Sequence, residues 1–186
     1  GVKVEDVTEQ MRSKAKAVNF GIVYGISEFG LAKNVGTSWK EAKEYINTYF
    51  EKYKGIHEFM QNIVKEAKEK GYVTTLFNRR RYIPELKNKN KNIVQFGERI
   101  AMNTPIQGSA ADIIKIAMNK LYKLLKENNL KSKLVMQVHD ELIVETYDDE
   151  IEKVKLLMKE AMENVVKLDI PLDVDLNVGK SWYDAK

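Results

Sequence analysis

The stretch "VMQVHDELIVE", residues 135–145, sets two apolar runs on either side of three titratable side chains. Val135, Met136 and Val138 lead in, and Leu142, Ile143 and Val144 lead out, which predicts strands near 133–138 and 142–146 closed by a tight turn. Two-residue hairpin turns need positive φ and therefore favour Asn-Gly or Asp-Gly. Here His139, Asp140 and Glu141 stand in that place. Adjacent carboxylates repel, at roughly several tenths of a kcal/mol or more, and such breaches of the local rule gather where function overrides stability. Two readings follow: an ordinary acidic turn, or a hard-oxygen site suited to Mg²⁺ or Mn²⁺.

The segments around this hairpin are mostly helical. On its N-terminal side lies an amphipathic stretch from Pro105 to about 128 through Ile113, Ile116, Ala117, Leu121, Leu124 and Leu125, preceded by a shorter helix over about 93–103. On its C-terminal side Asp148 and Asp149 can cap a helix to about 167, and "PLDVDLNVGKSW", residues 171–182, alternates as a half-covered strand does. Further upstream, Ser38 with Glu41 forms a capping box for a helix running toward Gly55. Another helix carries Phe59, Met60, Ile63, Val64 and Ala67 to Gly71. Residues 72–84 read as two short strands around a basic turn. The sum is an α+β fold, with helices packed over a small antiparallel sheet.

A chain of 186 residues that is 44% hydrophobic is long enough to bury a sizeable core. Its net charge of +4 suits an anionic partner. It contains no cysteine, which rules out disulfides and thiolate metal sites. No apolar run approaches the roughly 18 residues that a membrane span needs. A soluble, intracellular protein without a membrane partner is expected.

The first helix, expected over about 9–24, has two contrasting sides. Met11, Ala15, Val18 and Ile22 form a narrow apolar stripe expected to face a core. Arg12, Lys16, Phe20 and Tyr24 recur at i, i+4, i+8 and i+12 on the other side. Arginine grips phosphate as a fork and lysine as a point charge, while flat rings suit a sugar or base. A second helix covering the rings, with the cations left in solvent, is the competing account. Gly21 and Gly25 imply a close approach or a bend.

These stretches share a resemblance. "RSKAKAVNFGIVYG" (12–25) resembles the fingers-helix motif of family A DNA polymerases, and "QVHDE" (137–141) resembles that family's palm carboxylate motif. "LFNRRRYIPEL" (76–86) and "ERIAMNTPIQGSAADIIK" (98–115) resemble family segments in the same order, so the likeness runs through nearly the whole chain. It implies a helical fingers subdomain over residues 1–70 and a palm portion with a small antiparallel sheet covered by helices over 71–186. It further implies a cytoplasmic, nucleoid-associated DNA polymerase acting in replication and repair. Template-directed nucleotidyl transfer would proceed by a two-metal mechanism with Mg²⁺ or Mn²⁺ as cofactor. Primer-template DNA and deoxynucleoside triphosphates would be the partners.

Carried over by position, Arg12 and Lys16 would grip the triphosphate, and Lys16 would stabilise charge on the leaving pyrophosphate. Phe20 would lie against the sugar, and Tyr24 would stack near the templating base. Asp140 would bind the metals with Glu141 beside it, making these two and Lys16 the catalytic set. His139 would reach the primer end. Arg99, Asn103 and Gln107 would contact primer and template, provided that Pro105 leaves their helix continuous. At least one of Arg79, Arg80 and Arg81 is expected to meet a phosphate, unless all three are simply solvated. His57 reads as structural.

One departure from the family pattern matters. The family's second metal-binding aspartate belongs to a motif like D-Y-S-x-I-E, and no such stretch occurs here. Two-metal transfer needs carboxylates that bridge ions about 4 Å apart. The expectation is therefore a polymerase piece that is incompetent alone and whose further partner is the missing amino-terminal part of the enzyme. The alternative is a non-catalytic nucleic-acid or nucleotide-binding module.

Overall fold

A computed structural model describes residues 2–185. Two compact units emerge, one ending at Gln107 and the other beginning at Gly108.

After a short 3₁₀ turn over Val4–Asp6, the first unit carries α1 (Glu9–Val23), whose N-terminus is capped by the Thr8 hydroxyl accepting from the Met11 amide at 3.2 Å. Only Ile22 of the expected inward stripe is buried; Val18 is half-buried, and Met11 and Ala15 are exposed. The stripe prediction therefore holds only for the last turn, because the first half of α1 has no apolar layer against it. Next comes α2 (Glu28–Val35), which the hydrophobic spacing did not predict. Ser27 caps it through the Gly30 amide, and Gly36 ends it at φ 72° and ψ 41°.

Ser38 caps α3 (Trp39–Lys52) through the Glu41 amide at 3.2 Å, but the Glu41 carboxylate accepts from the Thr37 and Tyr45 hydroxyls, so only the Ser38 half of the predicted capping box forms. The helix stops at Tyr53, short of the predicted Gly55, which lies instead in the first turn of α4 (Lys54–Lys70). Gly71 ends α4 in the left-handed conformation. His57 lies on α4 with its ring stacked on Phe50, 4.4 Å between centroids. Strands β1 (Tyr72–Thr74) and β2 (Arg80–Tyr82) pair antiparallel, Tyr72 opposite Tyr82. Ala67, Val73, Ile83, Leu86 and Ala101 make the core here.

Pro105 does not start a helix. It lies inside α5 (Lys91–Glu127), which runs through the whole of the two predicted helices. An internal proline removes a backbone donor and costs roughly 3 kcal/mol. The burial of Ala101 and Thr104 on the preceding turn opposes that cost, and the Thr104 hydroxyl donates to the Ile100 carbonyl at 2.7 Å.

In the second unit, Ile114, Ala117, Leu121 and Leu125 of α5 meet Leu142, Val154, Leu157 and Ala161. The buried phase is one residue away from that predicted near its start: Ile114 is buried, while Ile116 is exposed. β3 (Lys133–Val138) and β4 (Glu141–Glu145) form the predicted hairpin, with Val135 as an extra residue between the pairs Leu134↔Val144 and Met136↔Ile143. A short 3₁₀ turn over Asp148–Glu150 precedes α6 (Ile151–Glu163), so Asp148 and Asp149 do not cap it by side chain, and it ends before the predicted 167.

The Glu150 carboxylate instead clamps the base of the hairpin. It accepts from the amides of Lys131 at 2.9 Å and Ser132 at 2.8 Å, and from the Ser132 hydroxyl at 2.5 Å. These donors, the Lys131 amide foremost, hold the Glu150 pKa below the ordinary carboxylate value.

The strand predicted over 171–182 does not form. Its side chains alternate in exposure from Leu172 to Leu176, but the segment has no ladder partner among the described residues. The Val174 amide donates to Glu163 at 3.2 Å instead. Alternation predicts which side of an extended chain is covered; a strand also needs a neighbouring backbone. Two separate two-stranded antiparallel sheets under mostly helical cover make this an α+β fold.

Candidate functional site

On α1 the four side chains expected to point outward do so. Arg12, Lys16, Phe20 and Tyr24 are all exposed, and the Phe20 and Tyr24 rings stack 6.2 Å apart with 26° between planes. Among the described residues no element buries these rings, which remain 50% and 37% exposed. Exposed rings on one turn present a flat apolar surface, and two cations stand one and two turns before them. Beside this face, the Tyr49 hydroxyl of α3 donates to the Asn19 side chain at 2.8 Å. Burial is the chief reason that the Tyr49 pKa is raised. Nothing in the spacing of residues 12–25 points to Tyr49, thirty positions away from Asn19.

The close approach expected at the α1 glycines is present. Gly25 has φ +72°, and a Cβ there would lie 2.5 Å from the Met102 Cε and 3.3 Å from the Arg99 Cγ. Gly25, just past the end of α1, thus lies close against Arg99 and Met102 of α5. Along α5, Arg99, Asn103 and Gln107 fall on one uninterrupted helix, at i, i+4 and i+8. Arg99 and Gln107 are exposed, and the Arg99 guanidinium lies 5.9 Å from the Phe96 ring centre. Asn103 is half-buried, and its Oδ1 is buried without a hydrogen-bond partner among the described residues. A buried acceptor left open is costly unless a ligand donor reaches it.

The three arginines divide. Arg79 lies in the turn, whose backbone is tied by the Thr75 amide to the Arg79 carbonyl at 3.0 Å; Arg80 and Arg81 belong to β2. Arg80 lies over the Tyr72 ring, 4.9 Å from its centre, and a hydrogen bond with Tyr82 is the first cause of its raised pKa. Arg81 reaches α5, donating to the Thr104 hydroxyl at 3.4 Å. Arg80 and Arg81 are therefore partly committed within the protein.

In the second unit, the turn of the β3–β4 hairpin is only two residues, His139 and Asp140, since Glu141 already pairs with Val138. His139 carries the positive φ, 51°, that this turn demands and that glycine or asparagine would adopt more readily. The strained turn is tied by the Gln137 side chain, whose Nε2 donates to the His139 carbonyl at 2.5 Å. His139, Asp140 and Glu141 are all exposed. One oxygen of Glu141 accepts from the Trp182 indole N–H at 3.1 Å, a contact across 41 positions that no spacing signals.

Asp140 and Glu141 supply hard oxygen donors of the kind Mg²⁺ and Mn²⁺ take. Among the described residues no group of three or more His, Cys, Asp or Glu is placed to hold a metal ion. The pair fits as part of a ligand set and does not form a complete cage.

These helices and this hairpin are those of a known class: residues 1–184 match DNA polymerase family A, and the chain belongs to that family. It is 56% identical over 186 residues to the DNA polymerase I of Caldicellulosiruptor bescii and 57% identical over 185 residues to that of Bacillus caldotenax. The chain spans 22% and 21% of those relatives' lengths. Among solved structures, the POL domain of Pol1 from M. smegmatis, in complex with DNA primer-template and dNTP, superposes with a TM-score of 0.95 at 40% identity. That match covers 99% of this chain and 32% of that one. No described helix is long and apolar enough to cross a membrane.

Proposed function

We propose that this chain is the nucleotide-gripping and partial metal-binding portion of a cytoplasmic, nucleoid-associated DNA-directed DNA polymerase. Residues 1–70 serve as fingers and 71–186 as part of the palm. The observation that carries this reading is the exposed row on α1, cations first and stacked rings after.

In the reaction, the primer 3′ hydroxyl oxygen bonds to the α-phosphorus of a deoxynucleoside triphosphate as the bond to pyrophosphate breaks. Arg12 and Lys16 hold the triphosphate oxygens, and Lys16 offsets the charge that grows on the departing pyrophosphate. Phe20 lies against the sugar and Tyr24 beside the templating base. Arg99, Asn103 and Gln107 hold primer and template. His139 lies at the primer end, and at least one of Arg79, Arg80 and Arg81 meets a backbone phosphate. Asp140 and Glu141 hold Mg²⁺ or Mn²⁺, which when bound supplies Lewis-acid neutralisation of phosphate charge.

Two carboxylates are too few to bridge two ions, so the isolated chain binds without catalysing, and the amino-terminal part of the enzyme is its necessary partner. The test is to add labelled deoxynucleotide, Mg²⁺ and primed template. Binding that falls at least tenfold in Arg12→Ala/Lys16→Ala, without extension, supports both statements; extension by the chain alone overturns the second, and binding indifferent to the double substitution overturns the first.

A further inference from the structure

The last described residues fold into a closed turn. The Asp184 amide donates to the Ser181 carbonyl at 3.1 Å, the Ala185 amide to the same carbonyl at 3.2 Å, and the Ser181 hydroxyl to the Asp184 carboxylate at 2.6 Å. Gly179 lets the chain close on itself: a Cβ there would lie 2.7 Å from both the Ala185 amide nitrogen and the Asp184 carbonyl carbon. Backbone at that distance cannot yield as a flexible side chain can. From this turn Trp182 extends its indole N–H to Glu141 Oε2 at 3.1 Å.

We infer that Trp182 is a positioning residue for the acidic tip. Glu141 is the first residue of β4, exposed, and its long side chain would otherwise sample many rotamers. An indole N–H only donates, and a bond from it to a carboxylate is charge-assisted and directional. Holding Oε2 selects one orientation of the carboxylate and leaves Oε1 for a cation shared with Asp140. The turn closed by Gly179 and Ser181 is thus a brace for the metal ligand. This rests on the metal reading of Asp140 and Glu141 given above.

The test uses the whole chain labelled with ¹⁵N. Its two tryptophans, Trp39 and Trp182, give two indole resonances, which Trp39→Phe distinguishes. Before any metal is added, Glu141→Gln and Gly179→Ala are each expected to move the Trp182 indole resonance toward that of a solvent-exposed indole. A resonance unmoved by both substitutions overturns the inference. Mn²⁺ affinity is then read from the electron paramagnetic resonance of free Mn²⁺. Trp182→Phe keeps a ring without the donor and is expected to weaken binding roughly tenfold, the low end for losing an outer-shell partner, with an unchanged thermal midpoint. Equal affinity overturns the positioning role. Absence of Mn²⁺ binding by the unsubstituted chain would refute the metal reading, and the positioning role with it, while the indole shift would still tell that failure from a missing Trp182–Glu141 contact.

Discussion

Gly25→Ala probes how the nucleotide-facing end of α1 is seated. Two costs act there. The first is conformational: at φ +72° an alanine costs about 1–2 kcal/mol, partly offset by about 0.4–1 kcal/mol because the substitution also restricts the unfolded chain. The second is steric: the new Cβ would sit 2.5 Å from Met102 Cε, the end of a flexible side chain that can turn away, and 3.3 Å from Arg99 Cγ, which must give by a few tenths of an ångström, so the side-chain shifts cost about 0.5–1.5 kcal/mol. Gly36 provides the control. It has the same φ of +72° and nothing within 4 Å of an added Cβ, so Gly36→Ala carries the first cost alone, on the order of 1 kcal/mol. Urea unfolding of both variants, followed by the circular dichroism of the helices, gives the comparison. Gly25→Ala is expected to be the more destabilising by about 0.5–1.5 kcal/mol. Equal losses at the two glycines would refute the argument that close approach, in addition to turn conformation, requires glycine at position 25.

Other perturbations test other contacts. Native hydrogen bonds hold the Glu150 pKa below its unfolded value, so their stabilisation is fully present above the unfolded pKa and is lost as pH falls through the folded pKa. Urea unfolding at a series of acidic pH values should therefore show Glu150→Gln less stable than the parent near neutrality and converging with it in acid; a gap that does not change with pH would contradict this. Tyr49→Phe removes the hydroxyl that holds Asn19 and is expected to cost about 0.5–1.5 kcal/mol in the same measurement, with an effect shared by Asn19→Ala in a double-mutant cycle. Leu121, fully buried at 0% exposure, should cost about 2–5 kcal/mol as Leu121→Ala. Its loss should be seen first as faster hydrogen exchange in β3 and β4, which share its core.

Much of this arrangement is local and therefore visible in the chain itself. The caps at Thr8 and Ser38, the left-handed stop at Gly71, the 133–138 strand and the outward set Arg12, Lys16, Phe20 and Tyr24 depend on residues within about a turn or two of one another, where spacing and geometry are rigidly linked. Even the missed helix α2 had its signals, Ser27 before it and Gly36 after it. The strain at His139 was likewise implied by the absence of glycine from the turn.

Tertiary structure decided the rest. Whether Pro105 interrupts a helix depends on what the turn before it buries, and whether 171–182 becomes a strand depends on a backbone beside it, which its own alternation cannot supply. The half-exposed stripe of α1, the hydroxyl of Tyr49 on Asn19 and the indole of Trp182 on Glu141 join residues far apart in sequence. Local periodicity specifies which side of an element is apolar or charged. Only the packed chain determines what meets that side, because burial and hydrogen-bond partners are properties of neighbours brought together by folding.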